Sequence, residues 1–331
     1  MTDSVTDDAT ASAGGPYFED LTVGTVWRTG FGTTVTSGLA ATHQAIVGDR
    51  LALTVDEDLA GRIAGGVLAH PALIWDLAIG QSTVVTQRVV ANLFYRGLVF
   101  RRLPRIGATL TTRTEVVALR QNRSRPSGLA ALRITTTDGS GATVLDFWRC
   151  AMLPLRDPQA ETGHADDLEA VGTDIDPATV DAVAATLDLS TFPIVGAAFE
   201  PGRETVVAGG DVVSNGPELA RLTLNIAAIH HDRFAQTDGR LVYGAHVVDI
   251  AAAQLCRAFP RVVTILGWHS CDHLAPTREG DTLTSTIRVE STRSAGTGTI
   301  ADLHIRVTAR GDGPDPSPHP VADWRPIILS V

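Results

Sequence analysis

One stretch of this chain occurs twice. Leu103-Pro-Arg-Ile-Gly-Ala-Thr-Leu-Thr111 returns as Pro276-Thr-Arg-Glu-Gly-Asp-Thr-Leu-Thr284, an offset of 173 residues from Gly107 to Gly280. The same offset lays Gly66–Gln81 over Gly239–Gln254, with Asp76 on Asp249 and Gln81 on Gln254. An internal repeat of this length in 331 residues means two copies of one domain. Whatever one copy folds into, the other must fold into as well.

Each copy has the same order of elements. A short strand comes first, near 24–36 and 203–213, and a helical or irregular segment follows at 38–62 and 216–236. An apolar helix is next, at 67–80 and 243–257. Long runs alternating Val, Thr, Ile and Arg then read as half-buried strands. They cover 88–102, 109–120, 129–138 and 143–154 in the first copy, and 261–273, 281–293, 298–310 and 321–330 in the second. One buried helix against one long antiparallel sheet, made twice, is an α+β arrangement. The divisions are a tail at 1–16, a first domain at 17–155, a linker at 156–195 and a second domain at 196–331. The tail is small, acidic and polar, without the charged and apolar regions of a signal peptide, and reads as disordered. The linker carries a helix near 177–187, with Asp176 as its cap and Pro177 at its first position.

All 27 basic residues are Arg. Without Lys there is no Schiff-base amine, no P-loop lysine and no kinase strand lysine. Arg keeps its proton, so acid–base work falls to His, Asp, Glu, Tyr or Cys. A net charge of −10 argues against nucleic acid as a partner. No stretch is apolar and long enough to span a membrane. The three cysteines form no CxxC pair, which fits a reduced, cytoplasmic setting.

In this frame the chain resembles the MaoC-like dehydratases, the (R)-specific enoyl-CoA hydratase group, as a double hot-dog protein of mycobacterial type. Each hot-dog is a long antiparallel sheet wrapped around a central helix. The residues that carry the resemblance are the opening Tyr17-Phe-Glu-Asp-Leu-Thr-Val-Gly24 and the Gly-x-Thr-Leu strand starts at 107–110 and 280–283. The helix openings Ala69-His70-Pro71 and Val242-Tyr243-Gly244 match too. Ala91-Asn92-Leu93-Phe94-Tyr95 is similar to a run in two-hot-dog hydratases of branched or dicarboxylic acyl-CoAs. The resemblance implies an acyl-CoA or acyl-carrier-protein thioester as substrate, no cofactor and no metal. It implies a monomer or a homodimer of double hot-dogs.

The family's motif D-x-N-P-x-H holds a water between Asp and His, five residues apart, and a helix-start N–H holds the thioester oxygen. Here the motif is split. In the first copy Asp49 matches the Asp, but Thr54 stands where the His belongs. In the second copy His230 matches the His, while Asn225 replaces the Asp. The form T-x-N-x-x-x-I-H-x-D of a family sub-group fits Thr223, Asn225, Ile229, His230 and Asp232. The resemblance therefore implies His230 as general acid/base, Asn225 as the water's orienting group and Gly244 N–H as the donor to the thioester. Asn can orient a water but cannot take its proton. Pro71, where the first copy needs that donor, has no N–H, so the first-copy site reads as disabled.

Other residues are candidates for substrate contact: Tyr243 and His246 at the second helix, Asn92 and Tyr95 across the interface, and Asp49, which is equally well a turn residue. Arg101, Arg102 and Arg105 suit CoA phosphates, although a solvated strand end explains them as well. His269, Cys271 and His273 alternate along a strand, about 7 Å apart on one face, too far to close on one zinc; the stretch reads instead as a strand lining the active-site cleft. Two other functions remain open: a degenerate hot-dog that binds acyl-CoA without turnover, and a hot-dog thioesterase.

Overall fold

The structure, a computed structural model, describes residues 14–172, 174–235, 239–311 and 317–331. Most of the tail at 1–16 lies outside the described residues; its last two, Gly15 and Pro16, are buried, and Gly15 accepts a hydrogen bond from Arg88.

The first half contains β1 (Val26–Arg28), β2 (Thr33–Thr34), α1 (Ser37–Val47), α2 (Ala52–Val55), α3 (Glu57–Ala64) and α4 (Pro71–Ser82). β3 (Ala91–Phe100), β4 (Thr109–Gln121), β5 (Ser127–Thr137) and β6 (Thr143–Pro154) complete it. α5 (Pro177–Ala184) lies in the connecting segment. The second half runs β7 (Glu204–Val206), β8 (Asp211–Val212), α6 (Gly216–Leu222), α7 (Gly244–Ala258), β9 (Val262–His273), β10 (Thr282–Ala295), β11 (Gly298–Arg310) and β12 (His319–Ser330). The opening strand expected in each half is two short pieces, with Gly30 and Gly32 interrupting one and Gly209 and Gly210 the other.

One antiparallel sheet carries both halves in the order β1-β4-β5-β6-β3-β9-β12-β11-β10-β7. Read from either end, this order is the same under the repeat, with β3 and β9 meeting in the middle. There Tyr95 opposes Cys271 and Leu98 opposes Trp268. The sheet wraps two central helices. All twelve residues of α4 are buried, as expected of a helix apolar on every side. α7 is buried over most of its length. This is a double hot-dog. The repeated glutamines do the same work twice: Gln81 Nε2 donates to Leu110 O at 3.1 Å and Gln254 Nε2 donates to Leu283 O at 2.9 Å. Each ties the end of a central helix to the start of its own long strand.

The connecting segment is packed. Leu168, Val180, Val183, Leu187 and Leu189 are buried against the outer face of the sheet. The His269-Cys271-His273 alternation breaks at a register shift between β9 and β12. His269 faces outward to Asp302 at 3.1 Å, whereas Cys271 is buried in the core. No helix among the described residues is long and apolar enough to cross a membrane.

Candidate active site

A cavity of about 370 Å³ lies between the halves, and both build it. The end of α4 and the turn after it supply Ile79, Thr83 and Thr86; β3 supplies Asn92 and Tyr95, and β6 supplies Arg149. The second half adds Asn225 to His230, the start of α7 and the stretch after β9.

The segment with Asn225 and His230 is fixed by the other half. Leu224, with φ at 61°, turns the chain at the end of α6. Ile226 N then donates to Thr83 Oγ1 at 3.0 Å, and Ala228 N donates to Gln87 O at 3.2 Å. The approach is close because position 80 is glycine: a Cβ there would lie 1.8 Å from Thr223 O.

His230 has its tautomer set. Its Nδ1 lies 3.2 Å from Leu241 O, and a carbonyl can only accept, so Nδ1 carries the proton. Nε2 is left with its lone pair. Burial lowers the His230 pKa to about 4, against a smaller upward pull from Leu241 O, and the cations of His231 and Arg149 would add to the lowering. The ring is therefore neutral near pH 7. Asn225 is buried; its Oδ1 accepts from Ala227 N at 3.0 Å, which leaves the Nδ2 hydrogens as donors. Tyr243 packs 5.6 Å from His230, ring to ring, and its hydroxyl is buried without a partner.

The two central helices start differently. In the first half His70 caps α4: Ala72 N donates to His70 Nδ1 at 3.0 Å. That nitrogen is therefore unprotonated, and Nε2 faces Asp49 Oδ1 at 3.2 Å. Asp49 also accepts from Leu51 N at 2.7 Å and from Thr54 Oγ1 at 2.5 Å. His70 Nδ1 and both oxygens of Asp49 are thus taken up by neighbours. At the repeat-related position Tyr243 makes no side-chain cap, and Gly244 lines the cavity. The first N–H groups of a helix lack intrahelical partners, so the second helix offers the cavity donors that the first has lost.

Of the residues singled out from the sequence, His230, Asn225, Gly244, Tyr243, Asn92 and Tyr95 line this cavity together. The others lie elsewhere. His246 is buried on α7, with neither ring nitrogen partnered, outside the cavity lining. Asp49 borders a separate cavity of about 190 Å³ with His43 and His70. Arg101, Arg102 and Arg105 line a third one; Arg101 pairs with Asp146 at 3.2 Å, and Arg105 donates to Ala64 O at 2.7 Å. The repeat explains this placement. Arg105 falls on Arg278, and Arg278 lines the His230 cavity.

His273, on the strand read as lining the cleft, lines the cavity; Arg149 lines it too and was not read from the sequence. A signal existed for Arg149. Along β6, Phe147, Arg149, Ala151 and Leu153 share a buried face, so the strand's alternation already turns this arginine inward.

Behind Tyr243, at the contact of the two helices, Trp75, His43, Asp76 and Asp249 form a polar cluster in the core. Ligand atoms of His43, Asp76 and Asp249 lie within 4.8 Å of one another. Burial pushes the Asp76 pKa up to about 8 and raises that of Asp249 well above the carboxylate range, so both are held protonated. Neutral acids, with Trp75 Nε1 donating to Asp249 and His43 Nε2 3.3 Å from Asp76 Oδ2, are a core network rather than a cation cage.

No family model matches the chain. A double-hotdog protein from Mycobacterium tuberculosis superposes with a TM-score of 0.88 at 46% identity, covering 97% of this chain and all of that one. A MaoC-domain dehydratase structure from Chloroflexus aurantiacus gives a TM-score of 0.81 at 23% identity, over 97% of this chain and 99% of that one. Among curated proteins, a β-methylmalyl-CoA dehydratase from Chloroflexus aurantiacus is 26% identical over 316 residues, 91% of this chain and 89% of the relative. The fold and the open start of α7 define a two-unit hot-dog protein with a furnished cavity between its units. The chain belongs to the same double-hotdog family as that Mycobacterium tuberculosis protein, and it is similar in fold to the MaoC-domain dehydratase.

Proposed function

We propose that the cavity is the active site of a hydro-lyase that adds water to a trans-2-enoyl-CoA, giving the (R)-3-hydroxyacyl-CoA, and reverses the step. The observation that carries this reading is the pairing of His230 Nε2, neutral with a free lone pair, with an uncapped helix start in one cavity. The relative named as a CoA-ester dehydratase supports the reaction class.

In hydration, the Gly244 N–H holds the thioester oxygen as it gains enolate character. The Asn225 amide donates to a water and aims its lone pair at the β-carbon. His230 Nε2 takes the water's proton as the C–O bond forms, and the imidazolium then returns that proton to the α-carbon. In dehydration the same ring removes the α-proton and protonates the leaving hydroxyl. Arg278 at the rim meets the CoA phosphates. Among the described residues no Asp, Glu, Ser or Cys lines the cavity, so the carboxylate base that a hot-dog thioesterase would use is missing there.

The test is loss of the enoyl-thioester absorbance, with chiral analysis of the product. His230→Ala should lower turnover by about 10²–10⁴-fold. Full turnover by that variant would overturn the assignment.

A further inference from the structure

β3 and β9 are repeat partners, and each ends on an aromatic ring. Phe100 is the last residue of β3, and His273, at the same offset of 173, is the last of β9. Phe100 is buried in the core. His273 lines the cavity, with its ring T-shaped against Tyr95 at 5.5 Å between centres. This exchange coincides with the one at the helix starts, where Pro71 in the closed half answers Gly244 in the open one. Of the two copies, the polar ring belongs to the one whose helix start is open.

His273 stands directly against that helix start. A Cβ on Gly244 would lie 2.8 Å from His273 Nε2. The same Cβ would stand about 2.5 Å from the Gly244 nitrogen, so the two nitrogens are at most about 5.3 Å apart. Two N–H donors that each bond one oxygen at about 2.9 Å can be separated by up to about 5.8 Å. The spacing lets one oxygen take both. Nε2 is buried without a partner. Burial lowers the His273 pKa to about 4, against a smaller upward pull from Asp272, so the ring is neutral near pH 7. A neutral histidine with no competing bond favours the tautomer with its hydrogen on Nε2, and that nitrogen is then a donor.

We propose that His273 is a catalytic residue of this cavity: its Nε2–H is a second donor, beside the Gly244 N–H, to the thioester oxygen of the substrate. For the reaction this inference rests on the hydro-lyase reading; for the binding of an acyl thioester it stands on its own. The enolate oxygen has two lone pairs to satisfy, and fixed donors in a buried site hold it without reorganisation. A neutral imidazole suits the task, as in enzymes that polarise a carbonyl with an uncharged histidine. It donates a hydrogen bond and keeps its proton through the cycle, so the proton transfers between His230, water and the α-carbon are unchanged. Phe100, at the same place in the closed half, has no such donor.

The experiment exchanges His273 for its repeat partner. His273→Phe keeps a ring of similar size and removes the donor. With crotonyl-CoA, kcat should fall by about 10²–10³-fold while KM changes far less. His273→Gln, whose amide nitrogen falls near the place of Nε2, should recover most of that loss. A binding arm separates the donor from packing. Butyryl-CoA with an isotope-labelled thioester carbonyl has no double bond to hydrate, and infrared difference spectroscopy reads its carbonyl stretch on the protein. The stretch should lie lower in wild type and His273→Gln than in His273→Phe, because accepted hydrogen bonds weaken the C=O bond. An identical stretch in wild type and His273→Phe, beside full turnover by wild type, would overturn the second donor and leave the hydro-lyase reading standing. A lowered wild-type stretch that is lost in His273→Phe, in a protein that hydrates no enoyl thioester, would do the opposite. A glutamine variant that matches the phenylalanine variant in both arms would assign the effect to ring packing and overturn the proposal.

Discussion

Trp75 Nε1 donates to Asp249 Oδ1 at 2.9 Å. The bond joins the central helix of one half to the repeat partner of Asp76 in the other, and both acids sit fully buried there. A core that contains two protonated carboxyls makes stability depend on pH.

The folded protein keeps the Asp76 proton up to about pH 8, whereas the unfolded chain loses it near 3.8. Over that window the folded state binds more protons, so this term lowers stability as pH rises, by up to about 1.4 kcal/mol per pH unit per proton. The histidines act in the opposite direction. His70, His230, His246 and His273 have pKa values lowered to about 4 by burial. Their unfolded forms take up protons below 6.5, so stability falls with acid there. The melting temperature should peak near pH 6.5 and decline toward pH 9, and Asp76→Asn should flatten the alkaline decline. Calorimetry from pH 4 to 9 checks this; a wild-type melting temperature still rising between pH 7 and 9 would refute it.

With His230 as the proposed base, its pKa near 4 fixes the expected pH–rate profile. A base must be unprotonated, so kcat/KM for hydration should stay level down to about pH 5 and fall only below that. A break near 6.5 would mean that the base is a solvated histidine, which His230 is not.

Gly80→Ala places a methyl group against the backbone of Thr223. The segment carrying Asn225 must then move away from α4. Overpacking of this kind costs about 1–3 kcal/mol. Melting should register that loss, and kcat/KM should fall with it because Asn225 and His230 leave the helix start.

The two helix starts should respond differently. His70→Ala removes the α4 cap at a cost of about 1 kcal/mol, with hydratase kinetics preserved. Gly244→Ala drives a methyl group into the His273 ring, 2.8 Å away. It should displace that ring into the cavity and lower kcat/KM about tenfold or more. Comparison of melting curves and initial rates for the two variants separates capping from catalysis.

The fold was legible because the repeat and the alternating strands point to the same architecture twice. His230, Asn225 and Gly244 were legible through motif spacing. Arg149 was not: an arginine in a strand reads as solvent-facing until the phase of the strand is fixed by its neighbours. The arginines at 101–105 show the converse. Their position in the repeat was informative, but charge alone could not tell which copy kept the open cavity, and Asp146 and Ala64 O already occupy Arg101 and Arg105. His269 was misread because one register shift in β9 inverts the phase beyond it.

The capped start of α4 has a consequence for how such a chain can change. When two identical subunits pair, each substitution appears on both sides of the dyad, and a lost donor is lost twice. Two units joined in one chain have no such obligation. His70 and Pro71 can close one helix start while Tyr243 and Gly244 keep the other open, and the closed half is then free to specialise in holding its neighbour's reacting segment still.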